Sequence, residues 1–180
     1  SRVGFVKLCA DVTWHGKKVP GVCFLRGMGV GILVSLYCLE TEEEYAILVQ
    51  QPRIPLGESG MLEIPAGMLD GSGNFAGVAA LELQEECGIH VTEKDLIDLT
   101  ELAYGNRHRG VCPSGGGCDE YLRLMYCRLP MSLEEIHSLQ GKLGGLRDHG
   151  EVITLHIVRF DDIWKLCCNA KALWYDFDLY

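Results

Sequence analysis

The longest apolar segment of the chain, residues 29–39, sets the first limit on what it can fold into. It contains no charged residue, and Glu40 follows it directly. A run of this length predicts a continuous β-strand, because a membrane-spanning helix needs about 20 apolar residues. With 48% apolar and 23% charged residues, the 180-residue chain has the composition of one soluble globular domain. We therefore expect no membrane partner.

The remaining segments predict a fold in which strands outnumber helices. Pro52 is expected to end the strand before it, and Ser132 with Glu135 gives capping-box chemistry at the start of a helix. One helix lies mid-chain with strands on both sides, which indicates the α+β class, a mixed sheet sandwiched between helices (α/β/α). We predict strands at residues 3–12, 20–26, 45–51, 61–64, 99–104, 120–128 and 151–159, and helices at 75–87, 132–140 and 160–172.

The helix at residues 75–87 carries three carboxylates on one face, those of Glu82, Glu85 and Glu86. Like charges at this spacing destabilise a helix by about 0.2–0.5 kcal/mol per pair, so a group outside the helix should compensate them. Magnesium fits, because it takes oxygen ligands. A solvated acidic face is the alternative. The residues expected to pack the opposite face on a sheet are Ala80, Leu83 and Cys87.

The flanks of this helix favour a metal site over a solvated face. The turn Pro65-Ala66-Gly67 precedes it, and Gly88 stops it directly after the acidic cluster. A loop–helix–loop of this kind can present backbone carbonyls beside the carboxylates. The sequence therefore predicts a divalent-metal cofactor, Mg with Mn as the alternative.

The same stretch resembles the Nudix box, whose pattern is G-x5-E-x7-R-E-U-x-E-E-x-G-U, with U aliphatic. Gly67 opens the match, and Leu81-Glu82-Leu83-Gln84-Glu85-Glu86-Cys87-Gly88-Ile89 completes it without gaps. Gly73 stands in place of the first Glu, and Leu81 in place of the Arg. The resemblance implies a Nudix fold and metal ligation by Glu82, Glu85, Glu86 and the backbone carbonyl of Ala66.

Other stretches resemble the plant-type ADP-sugar diphosphatase branch of the same superfamily. The resemblance implies cleavage of ADP-ribose or ADP-glucose to AMP and a sugar phosphate, in a homodimer. It divides the chain into an N-terminal strand extension at 1–28, expected to mediate dimerisation, and a hydrolase domain at 29–180. The stretches are Lys18-Val19-Pro20-Gly21, Gln51-Pro52-Arg53, Glu63-Ile64-Pro65-Ala66-Gly67-Met68-Leu69-Asp70, Pro113-Ser114-Gly115-Gly116-Gly117-Cys118-Asp119-Glu120, and residues 139–142 and 145–151.

The two departures from the box suggest a single loss. The Glu and Arg of the pattern have opposite charges, and removing both partners of a buried pair is near neutral, whereas removing one costs about 3–5 kcal/mol. We hypothesise that a structural ion pair was lost as a unit and that catalysis survives. On this hypothesis Leu81→Arg alone should destabilise the fold.

The resemblance also implies residues that act on the substrate. Glu85 and Glu151 are the catalytic candidates, with Glu151 as general base; Glu120 is a second candidate, and His149 a weaker alternative. A general base contributes about 10²–10⁴ in rate. The substrate-binding candidates are Arg53 and Arg147 for phosphate, and Gly67. Adenine recognition needs an aromatic stack, for which Trp14 or Phe24 is a candidate across a dimer interface, with core packing as the alternative for either.

The net charge of −9 argues against long nucleic acid as a partner, because a phosphate backbone needs a basic face. Three rival functions remain open: a non-catalytic Nudix fold that binds a nucleotide or a protein, a hydrolase of capped or triphosphorylated RNA ends, and a hydrolase of UDP-sugars. The nine cysteines indicate free thiols in a reducing compartment, and Cys112 and Cys118 match no common zinc spacing. With no signal peptide visible, we expect a soluble protein of the cytoplasm or of an organelle lumen.

Overall fold

The apolar segment at residues 29–39 forms a strand, as predicted, inside an eight-stranded mixed sheet. The computed structural model describes residues 5–69, 73–146 and 150–167. Its strands are β1 (Val6–Cys9), β2 (Val12–Trp14), β3 (Lys17–Val19), β4 (Val22–Leu25), β5 (Met28–Cys38), β6 (Glu44–Arg53), β7 (Glu58–Glu63), β8 (Ala66–Met68), β9 (Ile97–Asp98), β10 (Tyr121–Met131), β11 (Leu143–Gly144) and β12 (Ile153–Arg159). Its α-helices are α1 (Phe75–Glu82), α2 (Leu99–Tyr104), α3 (Leu133–Leu139) and α4 (Ile163–Leu166).

The large sheet has the strand order β11-β12-β6-β5-β10-β9, with β7 added to β6 and β8 added to β5. Strands β5 and β10 run parallel over their whole length, and the other pairs are antiparallel. The short strand β8 pairs with the first half of β5. This pairing sets the Pro-Ala-Gly turn in the middle of the sheet rather than at its rim.

Each face of the sheet is covered by helices, which confirms the predicted α+β class. Leu83 and Cys87 from the segment after α1 and Ile136 from α3 pack with alternate residues of β5 on one face. Ile163 of α4 packs with Leu33 and Leu48 on the other face. Because side chains alternate along a strand, β5 feeds both apolar layers, which is why its sequence is apolar throughout.

Three predicted elements differ from the structure. Residues 99–104 form a helix instead of a strand, because the Asp98 side chain accepts a hydrogen bond from the Glu101 amide and caps it. Strand β6 passes through Pro52 to Arg53 with an irregularity there, a position at which a strand tolerates proline. The predicted last helix is a short 3₁₀ turn, Phe160–Asp162, followed by α4, and its remainder lies outside the described residues.

The N-terminal strands are antiparallel, as predicted, but they form two separate two-stranded sheets, β1 with β4 and β2 with β3. His15 and Gly16 make the hairpin turn with positive φ angles of 48° and 75°. Trp14 is 69% exposed, and Phe5, Leu8 and Phe24 are exposed as well. The domain boundary at residue 28 stays a prediction. In the described part of the chain, no helix has the length and apolar character to cross a membrane.

Candidate functional site

The acidic segment continues α1 as a single π-helical turn, Leu83–Cys87, which Gly88 ends in the left-handed conformation with φ 67°. Glu86 is 6% exposed, and Glu82 and Glu85 are half-buried. The Gly88 amide donates a hydrogen bond to the Gln84 carbonyl, and the Ile89 amide donates one to the Leu83 carbonyl. π turns occur as short interruptions of α-helices and are frequent at functional sites. The predicted helix is therefore correct in extent, but its acidic half is wound differently.

The turn at Gly67 lies directly against this helix. Gly67 faces the helix side of the sheet beside Val30, and a Cβ at Gly67 would overlap the carboxylate of Glu82. The glycine is therefore needed for close approach rather than for an unusual φ angle. One residue earlier, the Ala66 amide donates to Oε2 of Glu86 over 3.2 Å. The structure thus joins the two ends of the predicted metal site, where Ala66 and Glu86 are 20 positions apart in the sequence.

The electrostatics at Glu82 are set by burial and by neighbouring negative charges. Burial, together with the nearby carboxylates of Glu85 and Glu151, raises the pKa of Glu82 to about 7. Glu151, which precedes β12, is therefore close enough to act on Glu82 even though the two residues are far apart in sequence. A cation bound beside Glu82 would favour its charged form and reverse this shift.

The donor atoms beside the Gly67 turn are carboxylate and backbone oxygens, the kind of ligand that magnesium takes. In the described ranges, no three His, Cys, Asp or Glu side chains form a closed group that could hold a metal. Magnesium is usually held by one or two carboxylates plus waters and substrate phosphates, so an open site with oxygen donors fits it. Glu82 and Glu85, with the Ala66 backbone beside them, are such a donor set. The structure brings the predicted ligands into one region, and their ligation stays a prediction.

Arg53 lies on the same side of the sheet, at the end of β6. Its Nε donates to Oε2 of Glu63 over 2.9 Å, and its Nη2 contacts the same oxygen. Glu63 is 3% exposed and directly precedes Ile64 and the Pro-Ala-Gly turn. The guanidinium therefore anchors the strand that leads into the site. Its predicted contact with phosphate is not tested by this arrangement.

Glu120 occupies a different environment from the glutamates of the helix. It is 7% exposed, and its Oε2 lies 3.3 Å from Nη1 of Arg26. The neighbouring Asp119 accepts hydrogen bonds from the Arg26 and Gly27 amides over 2.6 and 3.1 Å, which lower its pKa. The Asp119-Glu120 pair thus holds the corner between β4 and β5. The role of Glu120 as a base or outer metal ligand stays a prediction.

The comparison with known proteins decides the family. No protein-family model matches the chain. The chain is 41% identical to Nudix hydrolase 14, chloroplastic, of Arabidopsis thaliana, over 176 residues that make up 96% of this chain. This chain belongs to the Nudix superfamily. It spans 56% of the length of that relative, a little over half.

The two departures from the Nudix box lie at the surface. Leu81 is 51% exposed, and Gly73 is exposed with a φ angle of 75° and open space where a Cβ would stand. An ion pair at these positions would be solvated and worth about 0–1 kcal/mol. The expectation that Leu81→Arg alone destabilises the fold assumed a buried pair and is wrong on that ground. The loss of both residues therefore leaves the Nudix core undisturbed.

The remaining predicted residues lie away from this cluster or outside the described part. Arg147 and His149 fall outside the described residues. Trp14 projects from the β2–β3 hairpin, where its ring meets His15 edge-on. Phe24 stacks on Phe5 at 5.5 Å between ring centroids. The ring contacts of both residues are with N-terminal residues, and the backbone of Phe24 also bonds to Gly117 and Asp119.

Sequence reasoning missed several residues that organise the Nudix site. Glu63 is a charged residue inside an otherwise apolar strand segment, and that interruption is a signal of a buried, paired acid. Arg26 gave no such signal, because it sits in a turn-like Leu-Arg-Gly sequence. Gly144 and Gly145 were visible as a glycine pair, but their contact with the acidic helix depends on the tertiary fold.

Proposed function

We propose that this chain hydrolyses the pyrophosphate of a nucleoside diphosphate sugar, ADP-ribose or ADP-glucose, to AMP and a sugar phosphate. The observation that carries the proposal is the cluster of Glu82, Glu85 and Glu151 beside the Gly67 turn, where burial and mutual repulsion raise the pKa of Glu82. The name of the Arabidopsis relative supports hydrolysis by a Nudix enzyme. The adenine and the sugar rest on the motif resemblance.

The site residues have distinct tasks in this reaction. Glu82, Glu85 and Glu86 would hold magnesium, or manganese, with the Ala66 carbonyl as a further ligand. When bound, the ion supplies neutralisation of phosphate charge and a lowered pKa of bound water. Arg53 has the planar fork that suits bidentate binding of phosphate oxygens. Gly67 lets the backbone lie in close contact with the side chain of Glu82.

The bond changes follow from hydrolysis of an anhydride. The oxygen of water forms a new bond to one phosphorus, and the bridging P–O bond breaks, so the bridging oxygen leaves on the other phosphate. Glu151 takes the proton of the attacking water as general base. Little covalent chemistry is asked of the protein, so positioning and charge stabilisation dominate, as in phosphoryl transfer generally.

A substrate panel tests this function. We expect the 180-residue chain to release AMP from ADP-ribose or ADP-glucose with magnesium, and to act poorly on UDP-glucose, NADH and capped RNA. Glu85→Gln should abolish turnover, whereas Glu134→Gln, an exposed glutamate on α3, should leave it unchanged. Turnover of no compound would favour a nucleotide-binding or protein-binding Nudix fold. Turnover unaffected by Glu85→Gln would refute the metal-ligand assignment.

We also propose that two copies associate through the N-terminal strands. Isolated two-stranded sheets are marginally stable in water, yet β1–β4 and β2–β3 expose Phe5, Trp14 and Phe24. A second copy would cover this apolar surface and bring Trp14 toward the partner's nucleotide. Sedimentation should then give a dimer that Trp14→Ser with Phe24→Ser weakens; a monomeric wild type would contradict the proposal.

We also propose that this chain is located in an organelle. The printed name of the relative places it in the chloroplast, and this supports an organelle lumen over the cytoplasm for the present chain. Fluorescence microscopy of the protein fused to a fluorescent reporter would test the location directly.

A further inference from the structure

The short hairpin of β11 and β12 packs its backbone directly on the acidic turn. Gly144, the last residue of β11, pairs with Ile153. A Cβ at Gly144 would overlap the backbone carbonyl of Glu86. The φ angle of Gly144 is not positive, so any L-residue has the right backbone conformation there. The glycine is therefore required by space, because the carbonyl of Glu86 occupies the place of a side chain.

The next residue makes a hydrogen bond to the same turn. The Gly145 amide donates to the carbonyl of Glu85 over 3.1 Å. Carbonyls in the last turn of a helix lack partners within the helix. The carbonyls of Gln84 and Leu83 accept from the amides of Gly88 and Ile89, whereas the carbonyl of Glu85 accepts from the hairpin. The hydrogen bonds within the turn and the bond from the hairpin therefore together satisfy the carbonyls of Leu83, Gln84 and Glu85.

The same hairpin holds the carboxylate of Glu151. The Leu146 amide donates to Oε2 of Glu151 over 3.1 Å, and the Glu151 amide donates back to the Leu146 carbonyl over 3.3 Å. Gly145 has a φ angle of 84°, and a Cβ there would lie 3.2 Å from the Cβ of Glu151. Three consecutive backbone positions, Gly144, Gly145 and Leu146, therefore link the carbonyls of Glu85 and Glu86 to the side chain of Glu151.

We propose that Gly144 and Gly145 are positioning residues that fix Glu151 relative to the metal-binding glutamates by seating the β11–β12 hairpin on the carbonyls of Glu85 and Glu86. The inference rests on the proposed hydrolase function and deepens it. A proton acceptor and the carboxylates it works with sit on separate elements, and a misplacement of about 1 Å between catalytic groups can cost about 100-fold in rate. The two glycines remove that freedom without contacting the substrate.

The test compares two alanine variants of the same hairpin region. Gly144→Ala adds a methyl group against the Glu86 carbonyl. Gly141→Ala is the matched control, because Gly141 has a φ angle of 73° and open space around its Cβ position, so alanine strains the backbone and touches nothing. We expect Gly144→Ala to lower kcat by about 10–100-fold with KM changed less than about 3-fold, as for groups that orient a metal ligand. Gly141→Ala should lose stability and keep kcat.

Two further measurements separate positioning from a general loss of structure. At saturating magnesium in a Glu151→Gln background, Gly144→Ala should lower kcat by less than about 3-fold, because the group that it displaces is already absent. Manganese binding, followed by electron paramagnetic resonance without substrate, should weaken in Gly144→Ala and stay unchanged in Gly141→Ala. Gly145→Asn keeps the left-handed backbone and crowds Glu151 and the end of the Ile153 side chain rather than the acidic turn, so it should lower kcat several-fold with manganese binding intact even if Gly144→Ala fails to fold.

The outcomes distinguish this inference from the function on which it rests. If wild type turns over no nucleotide sugar, the proposed function fails, and the manganese comparison alone then decides whether the glycines shape the acidic turn. If wild type is active and Gly144→Ala or Gly145→Asn retains full kcat, the positioning role is refuted. An equal loss from Gly144→Ala with and without Glu151→Gln would also refute it.

Discussion

The corner between β4 and β5 and the acidic turn after α1 both place glutamate carboxylates below the surface, but they treat the charge differently. At the corner, Arg26 lies 3.3 Å from Glu120. At the turn, burial and the nearby carboxylates of Glu85 and Glu151 all raise the pKa of Glu82. A paired acid at the corner builds structure, whereas an uncompensated acid at the turn leaves charge for a ligand to neutralise.

The largest effect should come from the acidic turn. Glu85→Gln should lower kcat by more than about 100-fold, because losing even an outer partner of a metal ligand costs about 10–100-fold. Steady-state release of AMP measures it. The thermal midpoint of the variant should equal or exceed that of wild type without magnesium, since one repelling charge is removed. An unchanged kcat would show that the acidic turn, like the corner, has no role in catalysis.

A smaller effect is expected at the corner. Arg26→Met leaves the carboxylate of Glu120 without its cation and should cost about 2–4 kcal/mol of unfolding free energy, below the full value for a buried pair because Arg26 is partly exposed. Urea denaturation measures it. Lys18→Met, which breaks the exposed pair with Asp11, is the control and should cost nothing measurable. Equal losses in the two variants would show that burial does not govern these pairs.

Magnesium should stabilise the turn and leave the corner unaffected. At about 100 times its Kd, an ion that binds only the folded state contributes about 2.7 kcal/mol, or about 5–10 °C in Tm for a chain of this size. Differential scanning fluorimetry with sodium chloride at equal ionic strength as control measures it. The shift should shrink in Glu82→Gln and persist in Arg26→Met. A shift that survives Glu82→Gln unchanged would place the ion elsewhere.

The smallest effect concerns the departure at Leu81. Because this side chain is 51% exposed, Leu81→Arg should change the unfolding free energy by less than about 0.5 kcal/mol. Chemical denaturation measures the change, and kcat should stay within about 3-fold of wild type. A strong loss of kcat would show that the arginine reaches the neighbouring carboxylates and competes with the ion, and a strong loss of stability would contradict the surface position of this side chain.

Local patterns predicted much of the fold and the centre of the site. The spacing of Glu82, Glu85 and Glu86 after Gly67 is a local property, so their region could be predicted from the sequence. The helix at residues 99–104 could not, because a six-residue stretch with four apolar residues fits a strand equally well and a single cap at Asp98 decides. These cases depend on neighbours within a few positions.

The rest depends on contacts between distant positions. Arg26 and Glu120 are 94 positions apart, and Ala66 and Glu86 are 20 apart. Hydrophobic periodicity assigns elements but carries no information on which strand edge meets which helix end. Gly144 therefore looks like an ordinary turn glycine until the carbonyl of Glu86 is found in the place of its side chain.

The π-helical turn at Leu83–Cys87 has a consequence for insertions and deletions. Such a turn contains one residue more than an α-helical turn closed by the same carbonyl. Five residues wound as a π turn cover about the same rotation as four α-helical residues, so deleting the exposed Gln84 should restore regular winding and leave Cys87 in the core. A deletion within α1 has no extra residue to absorb it and would rotate the later carboxylates by about 100°. The acidic half of the helix should therefore tolerate a one-residue deletion better than α1 does.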